Sequence, residues 1–151
     1  MIDKLLKLFG QTEDLPSEEC QRERIKHATA VLLVEIARAD HERQASEDAE
    51  MLARLASHFE LSADDAAALV ERAERASEQS VSLHEFTRAL HAEMDYAEKV
   101  SVIEMLWQIA LADRNLDKYE DYMIAKIADL LYVARGDVLR LKARVIDSLS
   151  L

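Results

Sequence analysis

Glycine and proline are scarce in this sequence: Gly10, Gly136 and Pro16 are the only ones in 151 residues. So little turn punctuation excludes a chain of β-hairpins. Two glycines also cannot supply a phosphate-cradling loop, a dinucleotide fingerprint or a nucleophile elbow. Cys20 is the single cysteine, so no internal disulfide can form. The N-terminus MIDKLLKLFG has too short an apolar core, and no small-residue cleavage site, for a secretory signal. A cytoplasmic protein is expected. Charges interrupt every hydrophobic segment before the roughly 18 residues that a membrane span needs, so no transmembrane segment is expected either. Basic residues are in the minority, 19 against 30 acidic ones, and the formal net charge of -11 would repel phosphate backbones. Nucleic acid is therefore not an expected partner. An acidic surface suits cations or basic partners, or serves solvation alone.

What the sequence does have is an abundance of Ala, Leu, Glu and Arg, all good helix formers, in a length that suits one domain. The fold class expected is all-α. Residues 2–9 read as a two-turn amphipathic helix closed by Gly10, and 11–16 as a linker, so 1–16 stand apart from a helical domain at 17–151. Ser17 opens a long helix whose stripe is Ile25, Ala28, Leu32, Ile36 and Ala39. Ser46 is the expected cap of a helix over 47–59, with Met51, Leu52, Leu55 and Phe59 inward. Ser62 caps a helix to about residue 76, and the polar run 77–80 ends it. Ser82 with Glu85 matches a capping box for a helix over 83–94. Asp95 caps a helix over 96–112 that turns Val100, Ile103, Leu106, Trp107 and Ala110 inward. Helices over 118–131 and 135–149 complete a bundle of about eight.

The chain repeats itself. Shifted by 73 residues, Ile36, Ala37, Ala39 and Asp40 fall on Ile109, Ala110, Ala112 and Asp113. Beyond the loop the best shift is 72, which lays Met51, Leu52, Ala53, Arg54, Leu55 and Ala56 on Met123, Ile124, Ala125, Lys126, Ile127 and Ala128. This is a duplicated three-helix unit, with halves at about 28–76 and 100–149. Neither half buries its apolar face alone. The expectation is two halves packed about a pseudo-twofold axis, with residues 82–94 as the bridge.

In these features the sequence resembles the TerB-like family, the small helical domain of tellurite-resistance proteins. The carriers are Ala39-Asp40 with Glu47, Ala112-Asp113 with Glu120, the bridge Leu83-His84-Glu85-Phe86 and the closing Asp137-Val138. His41 and Arg114 stand where the family has glycine after each Asp. The resemblance implies an all-helical fold and a metal-linked role in stress handling near the membrane, without established catalysis.

Asp113-x-Asn115-x-Asp117, followed by Glu120 and Asp121, gathers oxygen ligands between two helices as a hard cation such as calcium requires. It begins like an EF-hand and then departs from one, with Lys118 at the glycine position and Ile124 where a bidentate Glu would close the shell. The upstream loop offers Asp40, Glu42, Glu47 and Asp48, with Met51 at the closing position. Two readings stand side by side. In one, Asp40, Glu47, Asp113, Asp117 and Glu120 form a weak or shared divalent-cation site. In the other, Asp40 and Asp113 accept N–H bonds where the next helix starts, and Glu47 and Glu120 sit in its first turn, where the helix dipole favours them.

His84 and His91 lie two turns apart on one helix face, which fits a surface or interface pair. Arg88 stands where a zinc-protease motif needs histidine. No histidine has Glu three residues before it, which excludes a four-helix di-iron pattern. Cys20 with Glu23 and His27 lacks an orienting acid for a catalytic thiol. No nucleophile–base pair can be drawn for a hydrolase. A non-enzymatic domain is expected, one that binds a cation at its acidic loops or docks a partner on the face between its halves. The alternative is a structural or adaptor protein working through a homodimer or a membrane-protein contact.

Overall fold

A computed structural model of the chain describes residues 17–39, 45–79, 82–112 and 118–149. These residues form seven α-helices: α1 (Ser17–Ala39), α2 (Ala45–His58), α3 (Ala63–Gln79), α4 (His84–Glu93), α5 (Tyr96–Ala110), α6 (Lys118–Leu130) and α7 (Arg135–Ser148). No strand occurs among the described residues. The helix expected at 2–9 lies outside them.

Two helices are apolar nearly all round along part of their length, α1 over 28–37 and α5 over 102–110, and they make the centre. In α1 the run Ala30, Val31, Leu32, Leu33 and Val34 is fully buried, and so are Ile36 and Ala37. In α5, Val102, Ile103, Leu106, Ile109 and Ala110 are fully buried, with Trp107 almost so. A helix without a polar face must be surrounded, and each buried Leu or Ile adds about 1.5–3 kcal/mol to the drive for that arrangement.

The surrounding helices follow a twofold pattern. The central helices α1 and α5 pack on each other. Each also packs on the second helix of the opposite half, α1 on α6 and α5 on α2. The third helices cover their own halves, α3 on α1 and α2, and α7 on α5 and α6. Exchanging α1-α2-α3 with α5-α6-α7 maps these contacts onto themselves, so the fold is a duplicated three-helix unit. The bridge α4 breaks the symmetry by packing on α1 and α6. Its Phe86, Thr87 and Leu90 are buried there.

Local chemistry sets the helix ends. The Ser62 hydroxyl accepts the Asp65 N–H at 3.1 Å, as a capping serine should. Asp95 caps α5 through a complete box: its carboxylate accepts the Glu98 N–H at 2.8 Å, while Glu98 accepts the Asp95 N–H at 3.1 Å.

Three sequence expectations are corrected. α2 runs from Ala45 to His58, so it begins two residues before the expected Glu47. α4 starts at His84 rather than Leu83; the Ser82 hydroxyl accepts the His84 N–H at 3.0 Å, and Leu83 is an N-cap without a side-chain cap bond. The polar run after Ala76 does not end α3, which continues to Gln79. There Ser77 is buried, donates to Glu35 on α1 and accepts from Arg38 at 2.6 Å. A tertiary partnership carries the helix past a locally unfavourable sequence.

Candidate functional site

The two acidic corners follow α1 and α5. Of the five candidate ligands, Asp40, Asp113 and Asp117 lie outside the described residues. The backbone of Glu47 lies in the first turn of α2, and its side chain is outside them as well. Glu120 is fully described. It stands in the first turn of α6 and is completely buried, although it is a carboxylate. The reason is its register: Glu120 falls four residues before Ile124 and seven before Ile127, both fully buried, and so shares α6's inward face.

Asp121, the next residue, turns outward to Lys142 of α7 at 3.3 Å. The first turn of α6 therefore sends one carboxylate into the core and one to a surface ion pair. Glu120 belongs to the acidic cluster in the sequence, but its burial is legible only from its spacing to Ile124 and Ile127. In the register set by the second part of the repeat, the first-half counterpart of Glu120 is Asp48, which is half-buried.

His84 and His91 are not brought together on a common ligand. The His84 N–H is held by Ser82. His91 lies with its ring 4.6 Å from that of Tyr132 and its Nδ1 2.6 Å from the Nζ of Lys99. For the ammonium to donate, Nδ1 must be the lone-pair nitrogen of the ring. Lys99 is buried, a position its place on the apolar stripe with Val102, Ile103 and Leu106 could have signalled. Among the described residues no three His, Cys, Asp or Glu side chains converge as metal ligands. Glu120 is the only one of the five candidates whose side chain is in that set.

His58 at the end of α2 was not singled out in the sequence. It lies between two polar cavities, one of about 460 Å³ bounded by Arg22, Lys26, Glu60 and Glu98, the other of about 230 Å³ bounded by Arg54, Ser101 and Glu104. Its ring meets Phe59 edge-on at 4.7 Å. Burial lowers its pKa, and the Glu98 carboxylate opposes the shift. Cys20 is half-buried on α1.

An all-helical duplicated bundle with a carboxylate sunk into the start of its sixth helix is the class these features define. The family model of tellurite resistance protein TerB matches residues 26–143, and the chain belongs to that family. No curated protein and no solved structure matches it. The matched span reaches from the middle of α1 into α7 and so takes in both halves and the bridge. Among the described residues no helix is long and apolar enough to cross a membrane.

Proposed function

We propose that this TerB-family chain is a non-enzymatic, cytoplasmic binding module that takes up a divalent cation such as calcium, weakly, at its acidic corners, in the stress response for which the family is named. The observation that carries the reading is the burial of Glu120. Its carboxylate has a partner within the protein and turns inward at the start of α6, beside the segment that carries the other oxygen donors, a placement that a cation ligand would share. Asp117 precedes Glu120 by three residues and Asp113 by seven, so an oxygen-only donor set converges on one segment in the sequence. Oxygen donors are what a hard cation selects. The sequence extends the reading to the other corner, where Glu47 follows Asp40 by seven residues as Glu120 follows Asp113.

The test is a backbone NMR titration with calcium, magnesium and zinc. Residue-specific movement at Asp40, Glu47, Asp113 and Glu120, saturating with one of these ions, is the expected result. Uniform drift without movement at the corners would remove the reading.

A second reading, a structural or adaptor role through a homodimer or a membrane-protein contact, is favoured by one asymmetry. The large hydrophobic side chains exposed among the described residues, Tyr96, Tyr119, Tyr122, Tyr132 and Leu139, all fall beyond the bridge. Aromatic side chains are enriched at protein interfaces. Light scattering distinguishes this reading: a dimer mass that reverts to monomer on Tyr122→Ser supports it, and a monomer at all concentrations removes the homodimer.

A further inference from the structure

The two halves differ where α5, α6 and α7 meet. Trp107 stands at the position of Val34 in the first half, and Val138 and Leu139 at those of Ala66 and Ala67. Larger side chains at a helix contact hold the axes further apart. Between α6 and α7 there is a cavity of about 300 Å³, with Trp107 at its base and Ala125, Ala128, Val138 and Leu139 along its walls. That is the lower end of the range for small-molecule pockets. The indole N–H is already satisfied by the Val138 carbonyl at 3.1 Å, which leaves an apolar ring surface facing the space.

Among the described residues the charges around the cavity do not cancel. Lys118, Arg135, Asp121 and Asp129 line it. Asp121 is neutralised by Lys142, whose Nζ also lies 5.3 Å from the Trp107 ring centroid. Lys118 and Arg135 then face Asp129 alone, and among the described residues neither cation has an ion-pair partner. In a chain of net charge -11 this is, among the described residues, a local excess of one positive charge beside an apolar space.

We propose that this cavity binds a small amphipathic monoanion, a carboxylate carried on an aliphatic or aromatic body. The body lies against Trp107, Ala125 and Val138. The carboxylate neutralises the surplus cation at the mouth, where charge-assisted hydrogen bonds from Lys118 or Arg135 are within the reach of long side chains. Among the described residues the cavity touches the second acidic corner only through Lys118 and Asp121, and Glu120 does not line it.

Trp107 is the only tryptophan, so its emission reports occupancy. The full chain is titrated with octanoate and with phenylpropanoate, and with the neutral octanol and phenylpropanol. Both acids are expected to give a saturable change, each about tenfold tighter than its alcohol. The tighter of the two tells whether a lipid-derived or an aromatic acid is preferred. Ala125→Leu fills the space from an exposed wall position and is expected to abolish binding of acids and alcohols alike. The double variant Lys118→Ala with Arg135→Ala is expected to weaken the acids about tenfold and leave the alcohols unchanged. Methyl shift mapping on the unmodified chain gives a readout that needs no variant, with movement expected at Ala125, Val138 and Leu139. The proposal is overturned if no saturable change occurs, if acid and alcohol bind equally, if the shifts fall elsewhere, or if the chain is a dimer that binds neither.

Discussion

Glu60 and Tyr132, 72 residues apart, both hold a left-handed backbone, with φ of 55° and 60°. Each sits one residue before an N–H that reaches back over the helix end: Leu61 to the Ala56 carbonyl at 2.8 Å, and Val133 to the Ala128 carbonyl at 2.9 Å. This is the same six-residue closure used twice. It is independent of the side-chain matches that first indicated the repeat, since neither Glu nor Tyr is a residue that favours this conformation.

The strain is removable. Glu60→Gly should raise stability by about 0.5–1 kcal/mol, because relief of the left-handed penalty outweighs the entropy glycine adds to the unfolded chain. Tyr132→Gly should gain less or lose, since it also removes the ring stacked on His91. Denaturant midpoints of the two variants give the comparison, and equal shifts would contradict it.

Trp107→Phe should destabilise the chain by about 2 kcal/mol. It leaves the buried Val138 carbonyl without the indole donor and puts a smaller ring beneath the Lys142 ammonium. The measurement is urea unfolding followed by far-ultraviolet circular dichroism. A change near zero would mean that water replaces the indole N–H.

Asp95→Ala should cost about 1 kcal/mol, the usual loss for a capping acid whose reciprocal partner is in place. Asp95→Asn, which keeps an oxygen acceptor, should recover most of it. Thermal denaturation of the pair checks this, and a loss as large in the Asn variant would point to charge rather than capping.

The pH dependence of stability carries a contribution from His58. Its folded pKa lies below the ordinary 6.5 because burial disfavours the charged ring. As pH falls through 6.5, unfolded chains bind a proton that folded chains resist, so stability drops with acid until the folded pKa is passed. Above that window both states are neutral and the contribution is complete. Between pH of about 7.5 and 5.5 the Tm of the wild-type chain should therefore fall more than that of His58→Gln. Parallel curves would remove His58 from the account.

The helices were legible because their apolar residues recur three and four apart, and the central pair α1 and α5 because those residues wrap right round. Asp95 was legible as a cap from its position alone. Ser82 marks the start of α4, but the Ser-x-x-Glu pattern does not tell that its hydroxyl accepts the His84 N–H two residues on. The extension of α3 to Gln79 depends on Ser77 meeting Glu35 and Arg38, residues about forty positions away. Lys99 meeting His91, with Tyr132 against that ring, is likewise a product of the tertiary fold. Local pattern reaches helix existence and some caps. Partners that meet only after the halves close are beyond it.

The central claim is that the acidic corners take up a divalent cation with the help of the buried Glu120. The most direct test is the Tm of the wild-type chain and of Glu120→Gln and Asp113→Asn, in calcium and in chelator at matched ionic strength. An ion that binds only the folded chain stabilises it by about 1.4 kcal/mol at ten times its Kd. The account predicts a calcium-dependent rise in wild-type Tm that both variants reduce or abolish. A wild-type Tm identical in calcium and chelator, or a rise that survives both substitutions, would contradict it.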